Sequence, residues 1–113
     1  MRIEAQKYLR DISQAVDRLA TFTSGKRFED YQADALLRAA TERQFEIIGE
    51  ALGQLARLDP AVASRVSDHR RIIAFRNVLI HGYADIDHRL VWDIVQARLP
   101  QLSDEVATLL AEV

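Results

Sequence analysis

The chain has 113 residues, 49% of them apolar and 28% charged, a net charge of −2 and no cysteine. One domain over residues 1–113 is expected, and the weak net charge excludes bulk attraction to long nucleic acid, so any RNA contact must be a local patch. The lack of cysteine excludes disulfides and thiolate metal sites, and with no signal-like or membrane-spanning apolar run it points to a cytoplasmic protein with no membrane partner.

The first element is read from Ala5, Leu9, Ile12, Val16, Leu19 and Phe22, whose three- and four-residue steps make one apolar stripe of a helix. The "TSGK" at 23–26 ends it, with Gly25 as the break. A second helix is expected from about Phe28 to Leu58, with Phe45, Ile48, Leu52 and Leu55 on one face, widened by Ile47, Ala51 and Leu58. Gly49 and Gly53 share a face of this helix. Each costs about 1 kcal/mol of helix propensity relative to Ala, which close approach of another helix would offset. The "LDP" at 58–60 closes the element, because a residue before proline avoids the α region.

"AVASRVSDH" predicts a short helix or helical turn. A third long helix follows from about Asp68 to Ile80 or His81, with Gly82 expected in the left-handed position beyond its end and extended chain after it. Asp85 or Asp87 supplies the N-cap of a last helix carrying Val91, Ile94, Val95, Leu102, Val106 and Leu109. Pro100 should kink or divide that helix. No segment alternates with period two, so the expected fold is all-α, an antiparallel bundle of four main helices plus a short helix.

The polar residues worth weighing lie in "AFRNVLIHGYADID", 74–87. Arg76 sits between Ile73 and Ile80 on one helix stripe, so its guanidinium is partly desolvated and needs an anionic partner. From spacing alone an internal ion pair to Glu46 or Glu50 is the simpler reading. His81, five positions on, points about 140° away from Arg76 on an unbroken helix. The two converge only if the helix ends at His81 or if two chains meet. A dipole interaction at the helix end also accounts for His81, and an aromatic lid accounts for Tyr83. His69 and His88 complete the histidines; none shares the i, i+4 spacing of a helical metal site, and no metal site is expected.

Arg, His and a neutral polar residue suit RNA cleavage by the 2′-OH. A base takes the hydroxyl proton, Arg stabilises the phosphorane, and an acid protonates the departing 5′-oxygen. His titrates near neutrality and can take either proton-transfer role, yet one His cannot readily take both. A two-fold dimer that brings both motifs into one cleft would supply two His and two Arg.

"RNVLIHGY" resembles the R-x4-H-x-Y motif of HepT-type toxins, a branch of the HEPN superfamily. "FEIIGEAL" at 45–52 resembles the family's I-G-E-A segment, and "VWDIVQARLPQL" at 91–102 its W-x-I-V and L-P-x-L stretch. The likeness spans about Phe28 to Leu102; it departs where many relatives carry a tryptophan shortly before the motif and this chain has "SDHRRIIAF". It implies a HEPN-like, usually homodimeric bundle that acts as a metal-independent endoribonuclease toxin without a cofactor of its own. It assigns Arg76 and His81 as the catalytic pair and Asn77 as the supporting polar residue. Tyr83 matches the tyrosine that a partner antitoxin, a minimal nucleotidyltransferase, modifies with AMP from ATP. Glu50, inside the I-G-E-A segment, reads as structural. The alternative is a non-catalytic nucleotide-binding or docking subunit of that nucleotidyltransferase.

Overall fold

A computed structural model describes residues 1–113 apart from the side chain of Tyr83. Four long helices carry the fold: α1 (Ile3–Thr23), α3 (Ala35–Leu58), α5 (His69–His81) and α6 (His88–Ala111). Two short ones, α2 (Phe28–Ala33) and α4 (Pro60–Ala63), lie between them, and a single 3₁₀ turn, Tyr83–Asp85, joins α5 to α6. The fold is all-α, as the periodicity requires, with no strand among the described residues.

The apolar stripes find their partners along the row α5–α3–α1–α6. Leu9, Ile12 and Leu19 of α1 meet Phe45, Ile48, Leu52 and Leu55 of α3, and Val91, Val95 and Leu109 of α6 close the core; all are fully buried. Each such side chain contributes about 1.5–3 kcal/mol by leaving water. Among the described residues no helix is long and apolar enough to cross a membrane.

The stretch expected as one helix from Phe28 to Leu58 is two. Asp34, in extended backbone at φ −116°, accepts hydrogen bonds from the N–H groups of Leu36 (3.0 Å) and Leu37 (3.1 Å) and so starts α3 afresh. The break lets α2 turn toward α6. Tyr31 becomes fully buried, 5.3 Å from Trp92 and 6.5 Å from His88 between ring centroids, while the Arg89 guanidinium lies 4.7 Å from the Phe28 ring centre.

The end of α5 also differs from expectation. Gly82 is not left-handed: its φ is −106°. Glycine is needed for a different reason, since a Cβ there would sit 2.9 Å from the Val78 carbonyl oxygen, which accepts the Gly82 N–H at 2.8 Å. The chain after it is not extended either; it coils into the 3₁₀ turn, where the Asp85 N–H donates to the Gly82 carbonyl at 2.9 Å. Asp87, rather than Asp85, caps α6, accepting from the N–H groups of Arg89 and Leu90. Pro100 does not divide α6, which runs unbroken from His88 to Ala111. The ring sits on the exposed side, where water can take the carbonyl bond that a proline nitrogen cannot.

Candidate active site

The site begins with two glycines of α3. A Cβ at Gly49 would lie 2.3 Å from Cβ of Arg76 and 3.4 Å from the Ile72 carbonyl, so α5 packs directly on the α3 backbone there. Gly53, one turn on, faces Ile73. The propensity cost of the glycines thus goes with helix contact, which sets the guanidinium of Arg76 beside the next residue of α3.

That residue is Glu50. Its carboxylate lies 2.9 Å from Nη2 of Arg76 and also accepts from Nε2 of Gln54 at 3.2 Å. Of the two acceptors that helix spacing offered, Glu50 holds the arginine, whereas Glu46 lies 3.7 Å from Arg43. Asn77 accepts from Nη1 of Arg76 at 3.1 Å, which turns the guanidinium plane toward α3. The third donor, Nε, is buried and has no partner among the described residues. The ion pair is half in water, with Glu50 side-chain exposure at 51%, so it is exchangeable and adds little to stability.

Arg76 lines a cavity of about 410 Å³ between α1, α3 and α5. Tyr8 and Asp11 line it from α1, Glu46, Ile47, Glu50 and Ala51 from α3, and Ile80 beside Arg76 from α5. Nothing in the sequence marks the α1 residues, because which helix covers the Arg76 stripe depends on how α1 and α3 pack. Lys7 and Asp11 form an exposed ion pair, 3.0 Å and one turn apart, on the solvated face of α1.

His81 is elsewhere. It is the last residue of α5, exposed, and does not line the cavity. The helix does end at His81, with Gly82 as its cap, but His81 keeps helical backbone, so its direction stays about 140° from that of Arg76 around the axis. Within one chain the structure brings Arg76, Asn77 and Glu50 together and leaves His81 apart. The side chain of Tyr83, the expected AMP acceptor, lies outside the described residues. His69 is half-buried at the start of α5, and His88 packs on Tyr31.

A second polar group forms where α2, α3 and α6 meet. Burial pushes the carboxyl of Glu42 above its ordinary range; the nearby His88 works against this, Glu46 adds to it and Arg38 reduces it. Burial likewise raises the Tyr31 phenol, helped by the charge of Glu42 and opposed by Arg38.

The family model described as "Ribonuclease HepT-like" matches residues 12–109. A protein of Caldanaerobacter subterraneus subsp. tengcongensis, named as a candidate RNase, is 33% identical over 103 residues, 91% of each chain. The "Probable ribonuclease HepT" of Thermococcus cleftensis is 33% identical over 106 residues, 90% of this chain and 92% of its own. A further candidate RNase, from Methanocaldococcus jannaschii, is 29% identical over 103 residues, 91% of this chain and 94% of its own. No solved structure matches the chain. With its all-α fold and R-x4-H-x-Y segment, the chain belongs to the HepT-like ribonucleases and is an RNase of the HEPN type.

Proposed function

We propose that this RNase is the toxin of a toxin–antitoxin pair, an endoribonuclease whose site is shared between two copies of the chain and which is silenced by AMPylation of Tyr83. The observation that carries the shared site is the separation of Arg76 and His81 around α5. The arginine lies against α3 and the histidine is exposed at the helix end. With the two facing different ways in one chain, a second chain would bring a second His81 toward an Arg76.

The chemistry asks for three things. A neutral His81 takes the proton of the ribose 2′-OH as that oxygen bonds to phosphorus. Arg76 stabilises the charge that builds on the phosphorane, with Asn77 holding the guanidinium in plane. The P–O5′ bond then breaks, and a protonated His81 donates to the leaving oxygen, leaving a 2′,3′-cyclic phosphate and a 5′-hydroxyl. These roles need no cofactor. AMP on Tyr83, two residues from His81, adds bulk and negative charge that would exclude an RNA phosphate; a nucleotidyltransferase partner using ATP would supply it.

The test is RNA cleavage by purified protein, wild type beside His81→Ala and Arg76→Ala, and then by the two variants mixed. Each variant alone should lose most activity, and the mixture should regain part of it, because a shared cleft then holds one intact copy of each residue. Full activity of a strictly monomeric protein would remove the composite site. Mass spectrometry after co-expression with a nucleotidyltransferase and ATP tests Tyr83; adducts mapped only elsewhere would overturn that role. The second reading, a nucleotide-binding or docking subunit, draws on the net charge of −2 and on the pairing of Arg76 with Glu50. It predicts no cleavage by the purified, unmodified protein.

A further inference from the structure

The cavity beside Arg76 has features that phosphate binding alone does not require. One wall is an aromatic ring whose visible cover is a flexible side chain: the ammonium of Lys7 lies 5.3 Å from the centre of the Tyr8 ring, and the Lys7 side chain is 65% exposed. A planar ligand can displace it at little cost. The α3 side of the cavity supplies acceptors, Glu46 and Glu50. Glu46 is the least exposed of the three carboxylates in the cavity, at 22%, and its pairing with Arg43 is loose at 3.7 Å. At about 410 Å³ the cavity is in the range of small-ligand pockets.

We propose that this α1–α3–α5 cavity is a guanine subsite: the Tyr8 ring stacks on the base, and Glu46 accepts from its N1–H and exocyclic N2–H₂ while Arg76 holds the adjoining phosphate. The choice of base follows from donor and acceptor patterns. A carboxylate only accepts, and guanine alone among the four RNA bases presents two adjacent donors on its Watson–Crick edge. Adenine and cytosine place a ring acceptor beside their amine, and uracil flanks its single N–H with two carbonyls, so each would set a lone pair against the carboxylate. Arg76 meets the phosphate with Nη2, now paired with Glu50, a solvent-exposed side chain that can give way, while Asn77 keeps its hold on Nη1. The inference rests on the RNase reading only in naming an RNA nucleotide as the occupant; the same chemistry would take free GMP.

The experiment has two arms. Titration of the full chain with GMP, AMP, CMP and UMP, followed by NMR or calorimetry, should show GMP bound at least tenfold more tightly. Tyr8→Ala should weaken GMP by about tenfold, as loss of one stacking platform does, with Tyr8→Phe restoring it. Glu46→Gln, close to isosteric, should level the four affinities. Equal binding of all four by wild type, or an unchanged GMP preference in Glu46→Gln, overturns the proposal. The second arm maps cleavage of a mixed-sequence RNA, where wild type should favour cuts next to G and Glu46→Gln should lose that bias. Selective GMP binding without any RNA cleavage supports the subsite for free nucleotide and removes the RNase reading. Cleavage without G bias and without GMP binding removes the subsite and leaves the RNase reading intact.

Discussion

The base of the Arg76 side chain lies on the bare backbone of Gly49: a Cβ placed on the glycine would stand 2.3 Å from Cβ of the arginine, closer than two carbons can come. The position of the guanidinium is therefore set by the absence of a side chain one helix away. Gly49→Ala gains about 1 kcal/mol of helix propensity but forces α5 off α3, and overpacking of this kind costs about 1–3 kcal/mol. The expected result is net destabilisation in urea, with a marked loss of RNA cleavage because Arg76 moves. Gly53→Ala should go the other way. Its Cβ would meet only Ile73 Cγ2, at 4.0 Å, an ordinary contact, so a stability gain of up to about 1 kcal/mol is expected. Two losses of equal size would show that the near contact at Gly49 is not what matters.

Glu50 should matter more for binding than for stability. Half-exposed ion pairs contribute about 0–1 kcal/mol, so Glu50→Gln should change the unfolding free energy by less than about 1 kcal/mol. It removes a carboxylate that competes with RNA phosphate for Arg76. KM for RNA should fall and its dependence on salt should steepen; a KM that rises would mean that Glu50 instead holds Arg76 in working position.

Glu42 predicts a pH effect with a definite sign. Its carboxyl is pushed above the ordinary range, chiefly by burial, so the folded chain binds that proton more tightly than the unfolded chain. The fold is favoured while Glu42 is protonated, and it loses that margin as pH rises from the ordinary glutamate value through the folded one. Glu42→Gln stays neutral throughout. Its Tm should exceed that of wild type at about pH 7, and the difference should shrink as pH falls below the ordinary glutamate value, where Glu42 too becomes uncharged. The attraction of His88 works against this, so His88→Gln should widen the gap. Thermal melts across the range check both statements; a constant difference would remove Glu42 as the cause.

Pro100 lies within α6 on its exposed side. Replacing it with alanine restores a helical N–H and removes the ring from the preceding turn, so Pro100→Ala should raise stability by about 1–3 kcal/mol. Unchanged or lowered stability in chemical denaturation would mean that the helix has adapted to the ring through packing on neighbouring residues.

The sequence by itself determined the helices and their buried faces, because apolar residues at three- and four-residue steps can leave water on one side only of a helix. Leu9, Ile12, Phe45, Leu52, Val95 and Leu109 are buried as that argument requires. It also determined the residues of the motif, the need of Arg76 for an acid, and the two candidates for it. Local chemistry decided some points against the longer pattern: Asp34 starts a new helix because its carboxylate takes two backbone N–H groups, and Gly82 is demanded by the Val78 carbonyl instead of by a left-handed turn. Only the tertiary structure decided that Glu50 rather than Glu46 holds Arg76, since both share one side of α3 and the choice depends on where Gly49 lets α5 settle. It alone brought Tyr8 and Glu46 into one cavity, residues 38 positions apart with no common period. Spacing along one helix is readable from sequence because the backbone fixes it, whereas contacts between helices depend on how all the apolar faces pack at once.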